Sequence, residues 1–424
     1  MAAETALIDV GVLFGAAAAV GVLATRLGQS VIPFYILVGM LLGTHVLGGI
    51  DFPALVGLDV LPHGAALALD GESEFVYLGA ELGIVMLLFF LGLEFNVERL
   101  LASRDLIGKA GAVDLLINFG AGLALGYLLF GAFLPAFLLA GIVYISSSAI
   151  ITKSLIDLGW IANDEADPML GTLVFEDLFI AVYLVVATAL ALGGGDVGAA
   201  VGEVAVAVAF IAVLLAGVHY ATPVLERALD TDSHEFLVLR ALGITVPIAG
   251  AALAIGVSEA VAAFFVGMAF ASTDHVTEIE RLLEPVRDVF AAVFFLWIGL
   301  ATDPALFPGV AGLVAVAVLA TTPTKLVSGY LGGRIYGLDE RRSVRVGLGM
   351  VTRGEFSLII ASVAIAGAGS GLASDTANAI NAFAVGYVLV MSVLGTTLMG
   401  YAGRIEERVV PRLSEGLRGT PTDD

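Results

Sequence analysis

The sequence predicts an all-α integral membrane protein of thirteen transmembrane helices, and three observations carry that prediction. The chain has 424 residues of which only 14% are charged, against roughly 25% in a soluble globular domain, so it lacks the charge to cover a water-facing exterior. Apolar runs long enough to cross a bilayer, roughly 20 residues each, recur along nearly the whole chain. The basic residues then alternate from one connection to the next, as cytoplasmic and external loops do.

The spans are read at approximately 5–24, 31–50, 75–95, 107–130, 133–153, 170–193, 203–222, 236–255, 258–273, 288–301, 308–333, 344–366 and 376–401. The longest connection, 51–74, is rich in glycine, proline and acids and reads as a surface excursion. Arg26 marks the first connection; Arg99, Arg104 and Lys109 mark the third, and Lys153 the fifth. Arg227 and Arg240 flank the seventh, Arg281 and Arg287 the ninth, and Arg334, Arg341, Arg342 and Arg345 the eleventh. Arg404, Arg408, Arg412 and Arg418 lie in the tail. Of 19 basic residues, 17 therefore fall on one side. This places the N-terminus outside and the C-terminus inside, with a membrane domain over 1–402 and a short cytoplasmic tail over 403–424. The first span is not read as a cleaved signal peptide, because Glu4 and Asp9 precede or open it and Arg26 follows it.

Composition narrows the chemistry. There is no cysteine, which removes disulfides, thiol catalysis and cysteine metal sites. The five histidines lack ligand spacing, and His45 and His63 read as interfacial. A net charge of −21 argues against nucleic-acid partners. Arginine outnumbers lysine 16 to 3 on this acidic chain, a pattern that fits a halophilic source, although GC-rich coding has the same effect.

Charges within the spans are the candidate functional residues, since a charge at the centre of a spanning helix costs on the order of 2.5–3.5 kcal/mol even on the lenient insertion scale. The sixth span carries Glu176 and Asp177 between apolar flanks, the eleventh carries Lys325, and the twelfth carries Arg353 and Glu355. A purely structural reading pairs them, for instance Arg353 with Glu176. A buried pair is a poor source of stability, because desolvation offsets attraction, and so many charges on three helices point to a working site. Glu176 and Asp177 face about 100° apart on a helix. Asp177 is therefore assigned to the ion path, and Glu176 is either a second carboxylate or a partner of a base.

Two spans look broken. The fifth contains Ser146, Ser147 and Ser148 in a row, whose hydroxyls compete for backbone hydrogen bonds. The twelfth has Gly347, Gly349, Thr352 and Gly354 in close order. Small residues also serve tight helix packing. The positions favour unwinding: thirteen spans divide as six, one and six, the halves are then inverted, and the broken spans are the fifth members of each. Irregular segments at matching positions of inverted halves point to a carrier's substrate site. The pairs Gly11/Gly15, Gly39/Gly43 and Gly122/Gly126 are candidate helix contacts, including a dimer interface.

Six stretches in order then resemble one family. They are Phe89-Phe-Leu-Gly-Leu-Glu94, Ser146-Ser-Ser-Ala-Ile150, Leu173-Val-Phe-Glu-Asp177, Phe264-Phe-Val-Gly-Met-Ala269, Phe294-Phe-Leu-Trp-Ile-Gly-Leu300 and Arg353-Gly-Glu-Phe-Ser-Leu358. They are similar to motifs of the monovalent cation:proton antiporters, in particular the Kef-type potassium branch. The resemblance implies an elevator-type homodimer with crossed, unwound helices in a cell membrane. It implies that Asp177 binds the transported K+ or Na+ and the proton by turns, with Ser146, Ser147, Ser148 and Thr352 at the unwound helices and Lys325, Arg353 and Glu355 as supporting charges. It implies no cofactor. The chain departs from the pattern in having Glu-Asp where Kef proteins have Gln-Asp, and in lacking their nucleotide-binding domain: about 23 residues follow the last span. Any regulation is then expected from a separate cytoplasmic subunit or from a segment beyond this sequence. Glu94, Glu98 and Arg99 read as interfacial structure.

The expected function is secondary active exchange of K+, ahead of Na+, for protons. A cation channel would need a repeated pore motif, and a membrane hydrolase a motif such as HExxH or GxSxG; neither is present. An ion-coupled symporter for a small solute is the remaining alternative, against which stands the lack of a solute-binding cluster.

Overall fold

The computed structural model describes residues 2–50, 68–71, 73–93, 97–193, 209, 224–231, 233–254 and 259–418. Among these, regular structure is helical apart from two isolated bridges, Gly43 with Leu69 and Ala368 with Leu372. The helices are α1 (Ala2–Arg26), α2 (Val31–Leu42), α3 (Glu74–Leu93), α4 (Val97–Asp114), α5 (Gly120–Phe130), α6 (Phe133–Tyr144), α7 (Ser148–Asp157) and α8 (Ala166–Leu192). They continue as α9 (His234–Ala254), α10 (Glu259–Ala271), α11 (Val276–Leu300), α12 (Phe307–Ile335), α13 (Glu340–Gly349), α14 (Glu355–Ala366), α15 (Ser374–Gly400) and α16 (Ala402–Arg418). Seven helices among the described residues are long and apolar enough to cross a membrane, and four shorter apolar ones accompany them. This is an all-α, multi-pass membrane architecture.

The seventh expected span, 203–222, lies outside the described residues except for position 209. Each other span coincides with a helix or a pair of half-helices. Three boundaries differ for physical reasons. Helix α2 stops at Leu42 because Gly43 turns extended (φ −71°, ψ 168°), and a 3-10 turn at Leu47–Gly49 follows. Helix α11 begins at Val276 rather than near 288. Its first half is polar, with Arg281 3.4 Å from Glu278 and Arg287 3.4 Å from Glu284 at i,i+3 spacing, so a search for apolar length sees only its second half. Helix α8 starts at Ala166, which places Glu176 ten residues in, about 15 Å along the axis.

The chain forms two compact units, one of residues 1–97, 181–309 and 361–385, the other of 98–180, 310–360 and 386–424. In the first, α2 packs on α11 and α3 on α10 with backbone nearly touching backbone. A Cβ on Gly299 would lie 2.9 Å from the Cα of Gly39, and a Cβ on Gly267 would lie 2.9 Å from the Cα of Gly92. Only glycine permits that approach. The pair Gly39/Gly43 thus seats a contact within the chain, against Leu296 and Leu300. Gly122 and Gly126 do likewise in the second unit, against Ala140 and Ala136. These two pairs thus seat helix contacts, as expected, within the chain, whereas Gly11 and Gly15 meet nothing within 4 Å.

In the second unit, α16 is held to α13 by buried charge. Glu406 is 1% exposed and accepts from Arg345 Nε at 2.7 Å and Arg341 Nε at 2.7 Å. Arg345 also donates to Glu165 at 2.8 Å, just before α8, and lies over the Trp160 ring at 5.3 Å; Arg342 pairs with Asp164. Burial opposes ionisation of Glu406, but the hydrogen bonds from Arg345 and Arg341 outweigh it and hold the carboxyl below its ordinary range.

Two outcomes follow from this packing. Gly267→Ala should lower the unfolding temperature of the detergent-solubilised protein, overpacking costing about 1–3 kcal/mol, whereas Gly11→Ala should leave it unchanged or raise it. A depressed folded pKa means that the Glu406 contribution is present above the ordinary carboxyl value of 4.5 and lost as pH falls through the lower folded value. Hydrogen exchange in α16, corrected for its intrinsic pH dependence, should accelerate only in that acid window, and Glu406→Gln should produce the same acceleration at pH 7.

Candidate functional site

The site is built where two helices break. Helix α6 ends at Tyr144 and α7 begins at Ser148, with Ile145 and Ser147 extended between them. The serines explain the restart: the Ser147 side chain caps α7, its Oγ accepting from the Ile150 N–H at 3.3 Å. Helix α13 ends at Gly349 and α14 begins at Glu355. The two breaks meet, the Ser147 N–H donating to the Thr352 carbonyl at 3.3 Å. A Cβ on Gly354 would lie 2.7 Å from Ser147 Cβ, so this approach also requires glycine.

Breaking a helix leaves carbonyls without partners at its C-terminal end. Arg353, fully buried, covers them. Its Nε donates to the Val143 carbonyl of α6 at 2.9 Å. Its Nη1 donates to Met350, Val351 and Thr352 carbonyls at 3.1, 3.0 and 3.0 Å. A cation is favoured at such ends by the helix dipole as well. Ser357 adds a hydrogen bond to the Ile142 carbonyl at 2.8 Å. The pairing of Arg353 with Glu176 considered from sequence is thus replaced: Arg353 serves carbonyls, and Glu176 has another base.

That base is Lys325. Its Nζ, buried on α12 two residues after Pro323, donates to Glu176 Oε1 at 2.5 Å and to Asp114 Oδ2 at 2.6 Å. Glu176 also accepts from the Ser146 N–H at 2.6 Å and from Ser146 Oγ at 3.0 Å. Asp114 Oδ1 accepts from Ser328 Oγ at 2.6 Å and Asn118 Nδ2 at 2.9 Å. A π-helical turn, Leu115–Phe119, separates α4 from α5 at this point. Such turns recur at functional sites. The Tyr144 ring lies 5.2 Å from Lys325 Nζ. Its hydroxyl and Thr352 Oγ1 are buried without a hydrogen-bond partner among the described residues.

Asp177 is 6% exposed and, as the next residue on the same helix, points about 100° away from Glu176. Ser148 Oγ lies 3.4 Å from its Oδ1. Ser147 Oγ donates to Glu355 Oε2 at 2.7 Å. One unit therefore gathers Ser146, Ser147, Ser148, Glu176, Asp177, Lys325, Thr352, Arg353 and Glu355. Asp114 and Asn118 are additional. The sequence signal for them is an acid and an amide four residues apart, on one face of an otherwise apolar span. Glu94 and His63 lie outside the described residues, as do the side chains of Glu98 and Arg99. His45 is exposed, 3.9 Å from Asp303.

Residues 12–401 match the transmembrane sodium/hydrogen exchanger family. The chain belongs to that family. It is 36% identical over 398 residues to the K(+)/H(+) antiporter subunit KhtU of Bacillus subtilis, covering 94% of this chain and 93% of the relative. It is 29% identical over 341 residues to the ammonium/H(+) antiporter subunit AmhT of Alkalihalophilus pseudofirmus, covering 79% and 84%. Among solved structures, the sodium proton antiporter MjNhaP1 of Methanocaldococcus jannaschii superposes with a TM-score of 0.69 over 95% of this chain and 99% of the other. At 15% identity that likeness concerns the fold. The Kef-type resemblance of the sequence motifs agrees with this membership. The protein is a membrane cation/proton antiporter and a transporter, not an enzyme.

Lys325→Met, similar in length but uncharged, strands two buried carboxylates on one side of the site. Removing one partner of a buried pair costs about 3–5 kcal/mol. The variant should unfold at clearly lower temperature in a detergent melt, and Lys325→Arg should recover part of the loss.

Proposed function

We propose that the chain exchanges potassium for protons across the cell membrane, the cation and a proton competing for the Asp177 carboxylate. The observation that carries this is the placement of Asp177: nearly sealed from solvent, beside Ser148, and next in sequence to a Glu176 already engaged by Lys325. A buried carboxylate beside a serine hydroxyl, at the start of the helix that follows an unwound segment, offers the oxygen ligands that a hard monovalent cation prefers. It holds the cation or a proton, and occupation by one excludes the other. Ser146, Ser147 and Thr352 border the same crossing, and Arg353 and Glu355 hold it in shape.

Potassium is preferred over sodium in this reading because the names of the two relatives above carry potassium and ammonium, cations of nearly equal radius, while others are named for sodium. A separate regulatory subunit is in keeping with relatives named as antiporter subunits. The reading extends to thirteen spans in two inverted halves, N-terminus outside, working as a homodimer by an elevator movement. Reciprocal packing supports the inversion: Gly39 of span two meets Gly299 of span ten, and Gly92 of span three meets Gly267 of span nine. Exchanging spans two with nine and three with ten maps one contact onto the other.

In proteoliposomes carrying an entrapped pH dye, addition of K+ should drive proton movement that Asp177→Asn reduces to the level of empty vesicles. Exchange retained by that variant removes Asp177 from the role. A panel of K+, NH4+, Na+ and Li+ on the wild type tests the cation preference.

A further inference from the structure

The carbonyls at the helix breaks do not use all of Arg353. Its Nε and Nη1 serve Val143, Met350, Val351 and Thr352, and Nη2 is buried without a carbonyl. The side chain that engages this guanidinium from another helix is Tyr387 of α15, itself fully buried. The Tyr387 hydroxyl in turn lies 2.6 Å from Thr321 Oγ1 on α12.

One arrangement of hydrogens satisfies all of these groups. Thr321 has a single hydroxyl hydrogen, and it goes to the Ala317 carbonyl at 2.7 Å. Tyr387 is then the donor in its contact with Thr321, and the phenol oxygen keeps its lone pairs for a donor. Arginine supplies one, since its guanidinium is always charged and only donates. The series runs one way, from Arg353 to Tyr387 to Thr321, and ends on α12 one turn before Lys325.

Helix α15 meets the unwound segment a second time. A Cβ on Gly395 would lie 2.8 Å from the Thr352 nitrogen and 2.9 Å from its Cα. Thr352 is therefore seated directly on the α15 backbone, which glycine alone permits. Tyr387 and Gly395 stand on one helix about 12 Å apart along its axis.

We infer that α15 is the splint of the unwound segment 350–354, and that Tyr387, with Thr321 behind it, is a positioning residue for cation binding. The phenol oxygen fixes Arg353 Nη2, and Arg353 holds the carbonyl ends of α6 and α13 in one relation. Thr352 is thereby kept in place against the start of α7, where Ser148 stands beside Asp177. Without the phenol oxygen the guanidinium keeps its carbonyls but pivots on them, and the break loosens. The ligands then have to be ordered when the cation arrives, which lowers affinity. The inference rests on the reading of Asp177 as the exchange site.

The test follows proton movement in proteoliposomes with the entrapped pH dye over a range of K+ concentrations. Tyr387→Phe fills the same space and removes only the oxygen. Its half-saturating K+ concentration should rise about tenfold, the worth of one hydrogen bond to a charged group, with the maximal rate little changed. Thr321→Val should shift half-saturation the same way, and Thr321→Ser, which keeps the hydroxyl, should not. Both residues act through one series of hydrogen bonds, so Tyr387→Phe combined with Thr321→Val should be no worse than Tyr387→Phe alone, whereas independent effects multiply. A Tyr387→Phe protein with wild-type half-saturation overturns the inference, whatever its maximal rate. So does a double variant whose effects multiply. Where Tyr387→Phe does not fold, as judged by its melt, the contrast of Thr321→Val with Thr321→Ser decides. Failure of the underlying reading is separately visible as exchange retained by Asp177→Asn.

Discussion

The buried ammonium of Lys325 is the interaction on which the site depends. It is the group that lets two carboxylates, Asp114 and Glu176, stay within an apolar interior on different helices. An isolated ionised group in such surroundings would neutralise or draw in water. With Lys325 in place, α4, α8 and α12 share one charged junction, and the carboxylate of Asp177 lies beside Ser148. The 100° turn of the helix between them gives the neighbouring acids different surroundings.

The second constraint is the accounting for backbone groups where helices stop. Each break exposes carbonyls that an apolar interior does not tolerate. Arg353 covers four of them from two half-helices at once. Ser147 caps the restart of α7, and Ser146 sends its N–H to Glu176. The polar residues at the crossing therefore do two jobs, satisfying backbone and shaping the proposed cation site.

Much of this was legible in the sequence, and the omissions have physical causes. Charges in apolar runs announced Glu176, Asp177, Lys325, Arg353 and Glu355, because a membrane makes their cost visible. Three serines and a cluster of glycines announced the breaks. The partnerships were not legible: Arg353 and Lys325 are both bases, and only geometry shows that one meets carbonyls and the other carboxylates. Asp114 escaped because it lies near the polar end of its span, where a single acid is unremarkable in sequence. Helix α11 began early for a related reason, its first half being amphipathic. A repeat was also present but unread: Val38-Gly39-Met40 recurs as Val266-Gly267-Met268, at the two glycines that occupy equivalent contacts.

Those glycine contacts carry a mechanical consequence. At the glycines where α2 lies on α11 and α3 on α10, no side chain intervenes to act as a bearing, and main-chain atoms meet directly. Sliding along either seam would drive carbonyl oxygens into the opposing chain, so each pair behaves as a welded plate. Compliance in this molecule has to come from elsewhere, and the interrupted segments at 145–147 and 350–354 are where the regular ladder is already open.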